Sequence, residues 1–176
     1  LTFRSETPIK IRWCITQMNE LSEHEYDLVV VGAGPAGSSA AYAAAKNGIK
    51  VALLEKEESV AQTVRTSGVT WIDYAKEFGI PEDCYNPIRT YNFCSPKNNV
   101  SISDEQPKAA VLDVRKTYRF LAEQAKKNGA EIFVSTNVTE VITEDGKVVG
   151  VKASSSNEEI TFRAKVVIDA SGFQSV

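Results

Sequence analysis

The chain has 176 residues and a mass of 19.3 kDa, enough for one domain with a buried core and short for a complete two-domain enzyme. Hydrophobic residues at 43%, charged residues at 24%, ten Gly and six Pro exclude disordered, collagen-like and disulfide-scaffold classes and describe an ordinary globular protein. Twenty basic against 23 acidic residues give a net charge of −3 with no basic stripe, which argues against a nucleic-acid partner.

Cys14, Cys84 and Cys94 have no C-x-x-C spacing, so neither a disulfide framework nor a metal site is expected, and a reducing, cytoplasmic location fits. The apolar runs Leu28 to Val31 and Val166 to Ile168 fall far short of the roughly 20 residues that span a bilayer. The N-terminus lacks a signal-peptide core. Met18 is the only methionine and precedes a polar run. Residues 1–24 are therefore expected to be a leader, mobile or non-native. The domain is expected over 25–176, truncated at its C-terminal end.

The first element is the valine-rich strand Tyr26 to Val31, composed like a parallel strand covered on both faces. It runs into Gly32-Ala33-Gly34-Pro35-Ala36-Gly37. An alanine-rich helix follows over Ser38 to Asn47, ended by Gly48, and then the strand Lys50 to Leu54 with Glu55 at its end. Gly32 suits the tight turn, Gly34 the approach of a pyrophosphate, and Gly37 the packing of helix on strand. The helix N-terminus faces the phosphates with its dipole. Glu55 can accept from adenosine ribose hydroxyls and would repel a 2′-phosphate, favouring FAD or NAD(H) over NADP(H).

Residues 59–112 interrupt the strand and helix alternation and are expected to form an inserted, partial substrate-side layer. It holds a turn at Arg65 to Gly68, a short helix from Thr70 to Phe78, and strand-like stretches at Ile88 to Cys94 and Val100 to Ser103. Asp113 is placed to cap a helix running to Lys127, with Tyr118, Leu121, Ala122 and Ala125 on one face. Glu131 to Ser135 reads as a parallel strand. Val138 to Thr143, Val148 to Ala153 and Glu159 to Ala164 read as a three-stranded antiparallel meander crossing over to a further buried strand, Lys165 to Ile168. The class is α/β with a parallel sheet. His24 reads as an exposed residue, Cys84 and Cys94 as small buried side chains, Trp71 and Tyr74 as core, and Lys126-Lys127 as a solvated helix end.

The glycine turn with its preceding Val29-Val30-Val31, the Leu54-Glu55-Lys56 strand end, Leu121 to Ala125 leading into Gly129-Ala130-Glu131, and Val166-Val167-Ile168-Asp169-Ala170-Ser171-Gly172 carry a family likeness. On these motifs the chain from Glu25 onward resembles the FAD-dependent oxidoreductases of the glutathione-reductase-like superfamily, and within it the geranylgeranyl reductase family. The resemblance implies a Rossmann-like FAD-binding domain. Gly32, Gly34 and Gly37, with Pro35 and Ala36 between them, would hold the FAD pyrophosphate, and Glu55 with Lys56 the adenosine ribose. Arg65, Ser67 and Gly68 would lie near the flavin, Val138 would meet the adenine through its backbone, and Asp169 and Gly172 would approach the flavin side.

Two departures from the family pattern are visible. Arg115 stands one position after the place where relatives carry a flavin-contacting arginine, and Ser171-Gly172 replaces the Asp-Gly of aromatic hydroxylases. The resemblance implies hydride transfer to prenyl double bonds of an isoprenoid or lipid-linked small molecule. It also implies an external donor, reduced nicotinamide or ferredoxin, and peripheral association with a membrane. A flavin-dependent monooxygenase or halogenase, or a non-catalytic FAD-binding fragment, stays open. No catalytic acid or base stands out.

Overall fold

The computed structural model describes residues 22–156 and 158–173. Cys14, Met18 and the proposed leader up to residue 21 lie outside them. Strand β1 spans Ser22–Val31 and begins ahead of the apolar run. Its polar first half is held because Ser22 to Tyr26 pair in parallel with Ile160 to Ala164. Residues 22–24, expected in the leader, therefore belong to the sheet. His24 is half-buried there, its ring stacked 5.2 Å from that of Phe162, and is not an exposed polar side chain.

Helix α1 (Pro35–Lys46) and strand β2 (Val51–Leu54) follow. All four β2 residues are buried, as the two-faced burial of a parallel strand requires. Strand β3 (Val69–Trp71), helix α2 (Ile72–Glu77), a 3-10 turn (Glu82–Cys84), and strands β4 (Tyr85–Ile88), β5 (Thr90–Cys94), β6 (Asn99–Ser103) and β7 (Ala109–Leu112) make the inserted layer. In it β3, β7 and β4 form one antiparallel sheet, and β5 pairs with β6 as a separate hairpin.

The small core of this layer is Ile72, Ala75, Tyr85 and Ala110. Trp71 and Tyr74, expected in the core, are 59% and 53% exposed. The reason is helical phase: α2 turns Ile72 and Ala75 inward, which directs Tyr74 outward, and Trp71 ends β3 before the helix starts. Cys84 is buried as expected, whereas Cys94 is exposed on the hairpin.

Helix α3 (Val114–Lys127) is capped by Asp113, whose carboxylate accepts from the Lys116 N–H at 3.1 Å. Lys126 and Lys127 lie in its last turn, exposed, where they complement the helix dipole. Strands β8 (Glu131–Phe133), β9 (Asn137–Glu144), β10 (Lys147–Ser155) and β11 (Glu158–Asp169) complete the six-stranded sheet in the order β8-β2-β1-β11-β10-β9.

The third meander strand and the strand expected after it are one element, β11, and Lys165 to Ile168 are not buried as expected: Val166 is 54% exposed and Val167 and Ile168 are half-buried. Strand β11 pairs in parallel with β1 along its length and antiparallel with β10 over its first half. No turn residue separates Ala164 from Lys165, so nothing breaks the strand. The meander thus extends the sheet and does not cross it as a separate layer.

Alternation along β1 divides the core. Leu28 and Val30 face Ala41 and Ala45 of α1 and Ala125 of α3, while Val29 and Val31 face the cluster around Val151, Phe162 and Val138. Alanine at the helix contacts lets both helices lie close to the sheet. Their N-termini, like the C-terminal ends of β1, β2 and β11, then converge on one edge, where a ligand crevice is expected in such sheets.

Candidate cofactor site

Two glycines at this edge are demanded by the protein itself. A Cβ on Gly37 would lie 1.9 Å from the Gly32 carbonyl oxygen, and one on Gly32, at φ +96°, would lie 2.6 Å from the Ala170 carbonyl oxygen. Gly34 is different. Its backbone is extended (φ −70°, ψ −175°), and a Cβ there would meet nothing within 4 Å. Among the described residues no neighbour accounts for its lack of a side chain, so the space it leaves is open to a group from outside. The first intrahelical bond of α1 runs from the Ser38 N–H to the Gly34 carbonyl at 2.9 Å. The N–H groups of Ala36 and Gly37 precede it, as the positive end of a helix requires for anion binding.

Glu55 is fixed beside this turn. Its Oε2 accepts from the Ala33 N–H at 2.9 Å and its Oε1 from the Glu57 N–H at 3.0 Å. Its own N–H donates to the Phe133 carbonyl, and its carbonyl accepts from the Thr136 N–H, each at 2.8 Å. Each carboxylate oxygen uses one acceptor direction on the protein, and a carboxylate has capacity for more. These free acceptor directions are what the two donating hydroxyls of a ribose diol call for.

A cavity of about 660 Å³ runs along this edge. Of the residues expected to bind a cofactor, it is lined by Gly32, Gly34, Pro35, Ala36, Glu55, Lys56, Arg65, Val138 and Gly172. Gly37 lies beneath the turn. Ser67 is exposed and off the cavity, and Gly68 is buried against Val114 Cγ2 and the Leu112 carbonyl, lining a neighbouring hollow instead. Asp169 accepts from the Ser171 N–H at 2.9 Å and the Ser171 hydroxyl at 2.5 Å, shaping the turn that carries Gly172. Arg115 is turned to the loop after β2, donating to the Ala61 carbonyl at 3.2 Å and the Gln62 carbonyl at 3.3 Å.

Sequence reasoning missed Ser59, Ala61, Gln62, Thr63, Tyr118, Thr136 and Asn137, which also line the cavity. Tyr118, expected on the core face of α3, is only half-buried. It borders both this cavity and the apolar hollow of about 390 Å³ beside it, which Val69, Phe78, Ile80, Leu112 and Leu121 help to wall. Among the described residues no group of three or more His, Cys, Asp or Glu side chains could hold a metal, and no helix is long and apolar enough to cross a membrane.

Residues 27–174 match the model of the FAD dependent oxidoreductase family. The chain belongs to that family. An FAD-dependent oxidoreductase of this kind uses FAD as its cofactor, and the open face of Gly34 and the anchored Glu55 suit an adenine dinucleotide. The digeranylgeranylglycerophospholipid reductase of Methanocella arvoryzae is 38% identical over 157 residues, which are 86% of this chain and 40% of that protein. The chain spans about 40% of the length of the reductases of this name that it matches.

Among solved structures, a geranylgeranyl bacteriochlorophyll reductase-like protein of Thermoplasma acidophilum superposes with a TM-score of 0.78 at 33% identity. The match covers 87% of this chain and 41% of that one. A flavin-dependent brominase superposes at 0.68 with 28% identity, over 85% of this chain and 38% of its own.

Proposed function

We propose that this chain carries the FAD site of a geranylgeranyl-reductase-like enzyme within the glutathione-reductase-like superfamily, acting on double bonds of a lipid-linked prenyl chain. The observation that carries the cofactor assignment is the contrast at the turn: Gly32 and Gly37 are required by packing, whereas no neighbour among the described residues requires Gly34. The names of the most similar relatives support the substrate class.

In this reading the first turn of α1 binds the pyrophosphate by backbone N–H groups and helix dipole. Glu55 orients the adenosine ribose, Val138 borders the adenine, and Arg65 and Gly172 stand toward the flavin. Bound FAD supplies hydride-transfer chemistry. Saturating one double bond consumes two electrons and two protons, so an external donor is needed, a reduced nicotinamide or ferredoxin. The apolar hollow sharing Pro35 and Tyr118 with the cofactor cavity accords with an isoprenoid substrate. Such a substrate favours a cytoplasmic protein loosely associated with the membrane surface.

The test begins with absorbance and thermal unfolding of purified protein with added FAD. A flavin spectrum and a raised Tm are expected, and a colourless protein that FAD fails to stabilise would remove the assignment. Incubation with dithionite as reductant and a geranylgeranyl lipid, read by mass spectrometry, then tests the reaction: gain of two hydrogens per double bond is expected. A long-lived oxygen adduct of the reduced flavin, with unchanged lipid, would instead favour the monooxygenase or halogenase class represented by the brominase.

A further inference from the structure

The loop that follows β2 forms one wall of the cofactor cavity through Ser59, Ala61, Gln62 and Thr63. It turns on a bond from the Gln62 N–H to the Ser59 carbonyl at 3.2 Å and holds Ala61 at φ +60°, a left-handed conformation uncommon for a residue with a Cβ. That conformation needs support from outside the loop, and α3 supplies it. Arg115 Nε and Nη2 donate to the Ala61 and Gln62 carbonyls, and Arg119 Nε, one turn later on the same helix, donates to the Val60 carbonyl at 3.4 Å. Three consecutive carbonyls thus accept from two guanidinium groups spaced i and i+4.

The loop is tied in turn to the ribose-binding carboxylate. Thr63 Oγ1 donates to Glu57 Oε2 at 3.0 Å, and the Glu57 N–H donates to Glu55 Oε1. We infer that Arg115 and Arg119 are positioning residues for the cofactor: a clamp outside the cavity that presets the loop wall and, through Thr63 and Glu57, the orientation of Glu55. The inference rests on the FAD reading above. Physically, the clamp orders the loop before the ligand arrives, so that binding does not bear that entropy cost. Arginine suits the task because its planar fork reaches two carbonyls at once, whereas lysine offers a single point of charge.

The test compares wild type with R115M/R119M, in which methionine retains the apolar stems, and with R115K/R119K. FAD affinity is read by quenching of flavin fluorescence and stability by thermal unfolding without FAD. For the methionine pair the Kd is expected to rise roughly tenfold, about 1.4 kcal/mol, with little change in the Tm of the FAD-free protein. The lysine pair should recover part of the affinity. Proteolysis within the loop should speed up in the methionine pair and slow again with FAD.

In an E55A background the same clamp substitutions should cost less affinity, because both act through one network. Wild type that binds FAD while the methionine pair binds it equally well overturns the clamp alone, as does an effect on affinity that matches the loss of Tm in the FAD-free protein. Wild type that binds no FAD overturns the reading beneath it.

Discussion

Gly34 and Gly37 stand three positions apart and are expected to respond in opposite ways to the same methyl group. In Gly37→Ala the new Cβ must displace backbone at the Gly32 carbonyl, so the turn and α1 cannot both keep their places. We expect loss of stability of about 1–3 kcal/mol or more, seen in denaturant unfolding, together with loss of FAD binding. In Gly34→Ala the methyl group meets no protein atom, so stability without FAD should change by no more than about 0.5 kcal/mol while FAD affinity falls steeply. An unchanged affinity would show that the space beside Gly34 is not the ligand's. Glu55→Ala removes the carboxylate that holds the Ala33 and Glu57 N–H groups. Affinity for FAD should drop by about 1–2 kcal/mol, measured by flavin titration.

At the level of single elements, α3 and β1 make separable predictions. Asp113→Ala removes the side-chain acceptor for the Lys116 N–H and should destabilise the protein by about 1 kcal/mol in chemical unfolding. Tyr26 on β1 donates to Glu131 Oε2 of β8 at 2.8 Å. Burial first, then the bond to and charge of Glu131, raise the Tyr26 phenol well above its ordinary value of 10.

The raised value favours the protonated form in the folded state. Its contribution to stability is therefore complete below pH 10, where the unfolded phenol is also protonated, and is lost as pH rises from there through the folded value. Urea unfolding followed into alkaline pH should show a shallower loss for Tyr26→Phe than for wild type. Parallel pH curves would dismiss the assignment.

Helix α3 was legible from Asp113 to Lys127 because its cap and its apolar phase are local properties. The reversal of Trp71 and Tyr74 was not, because α2 spans only six residues and its inward face is chosen by β4 and β7, not by its own pattern. Arg115, in the inferred clamp, shows the same limit. Its residue type and place near the start of α3 were readable, but the group it serves lies on a loop 54 positions away.

For the molecule as a whole, β11 joins the parallel half of the sheet to the antiparallel half, and Phe162 sits at that junction with no exposed surface. Its ring packs 5.1 Å from that of Phe133 and 5.2 Å from that of His24, residues of β8 and β1. Phe162→Ala should therefore cost about 3–5 kcal/mol and lower the unfolding midpoint in one cooperative transition, since both halves share the cavity.

Strand, glycine turn, helix and acidic strand end were readable from residues 26–55 alone, because each step answers a nearby backbone requirement: a φ for Gly32, a close approach for Gly37, a helix stop at Gly48. An adenine dinucleotide and the glycine-turn side of the cavity followed from that unit, whereas FAD in place of NAD(H) rested on the later motifs and the family resemblance. Other features rest on contacts between distant parts of the chain. Ser22 joins the sheet only because Ile160 lies beside it, and the meander fuses into β11 only because β1 and β10 take its two edges. The separate tasks read for Gly34 and Gly37 acquire their distances only once the atoms around each are in place. Pairing and empty space are properties of the assembled chain, and no local pattern encodes them.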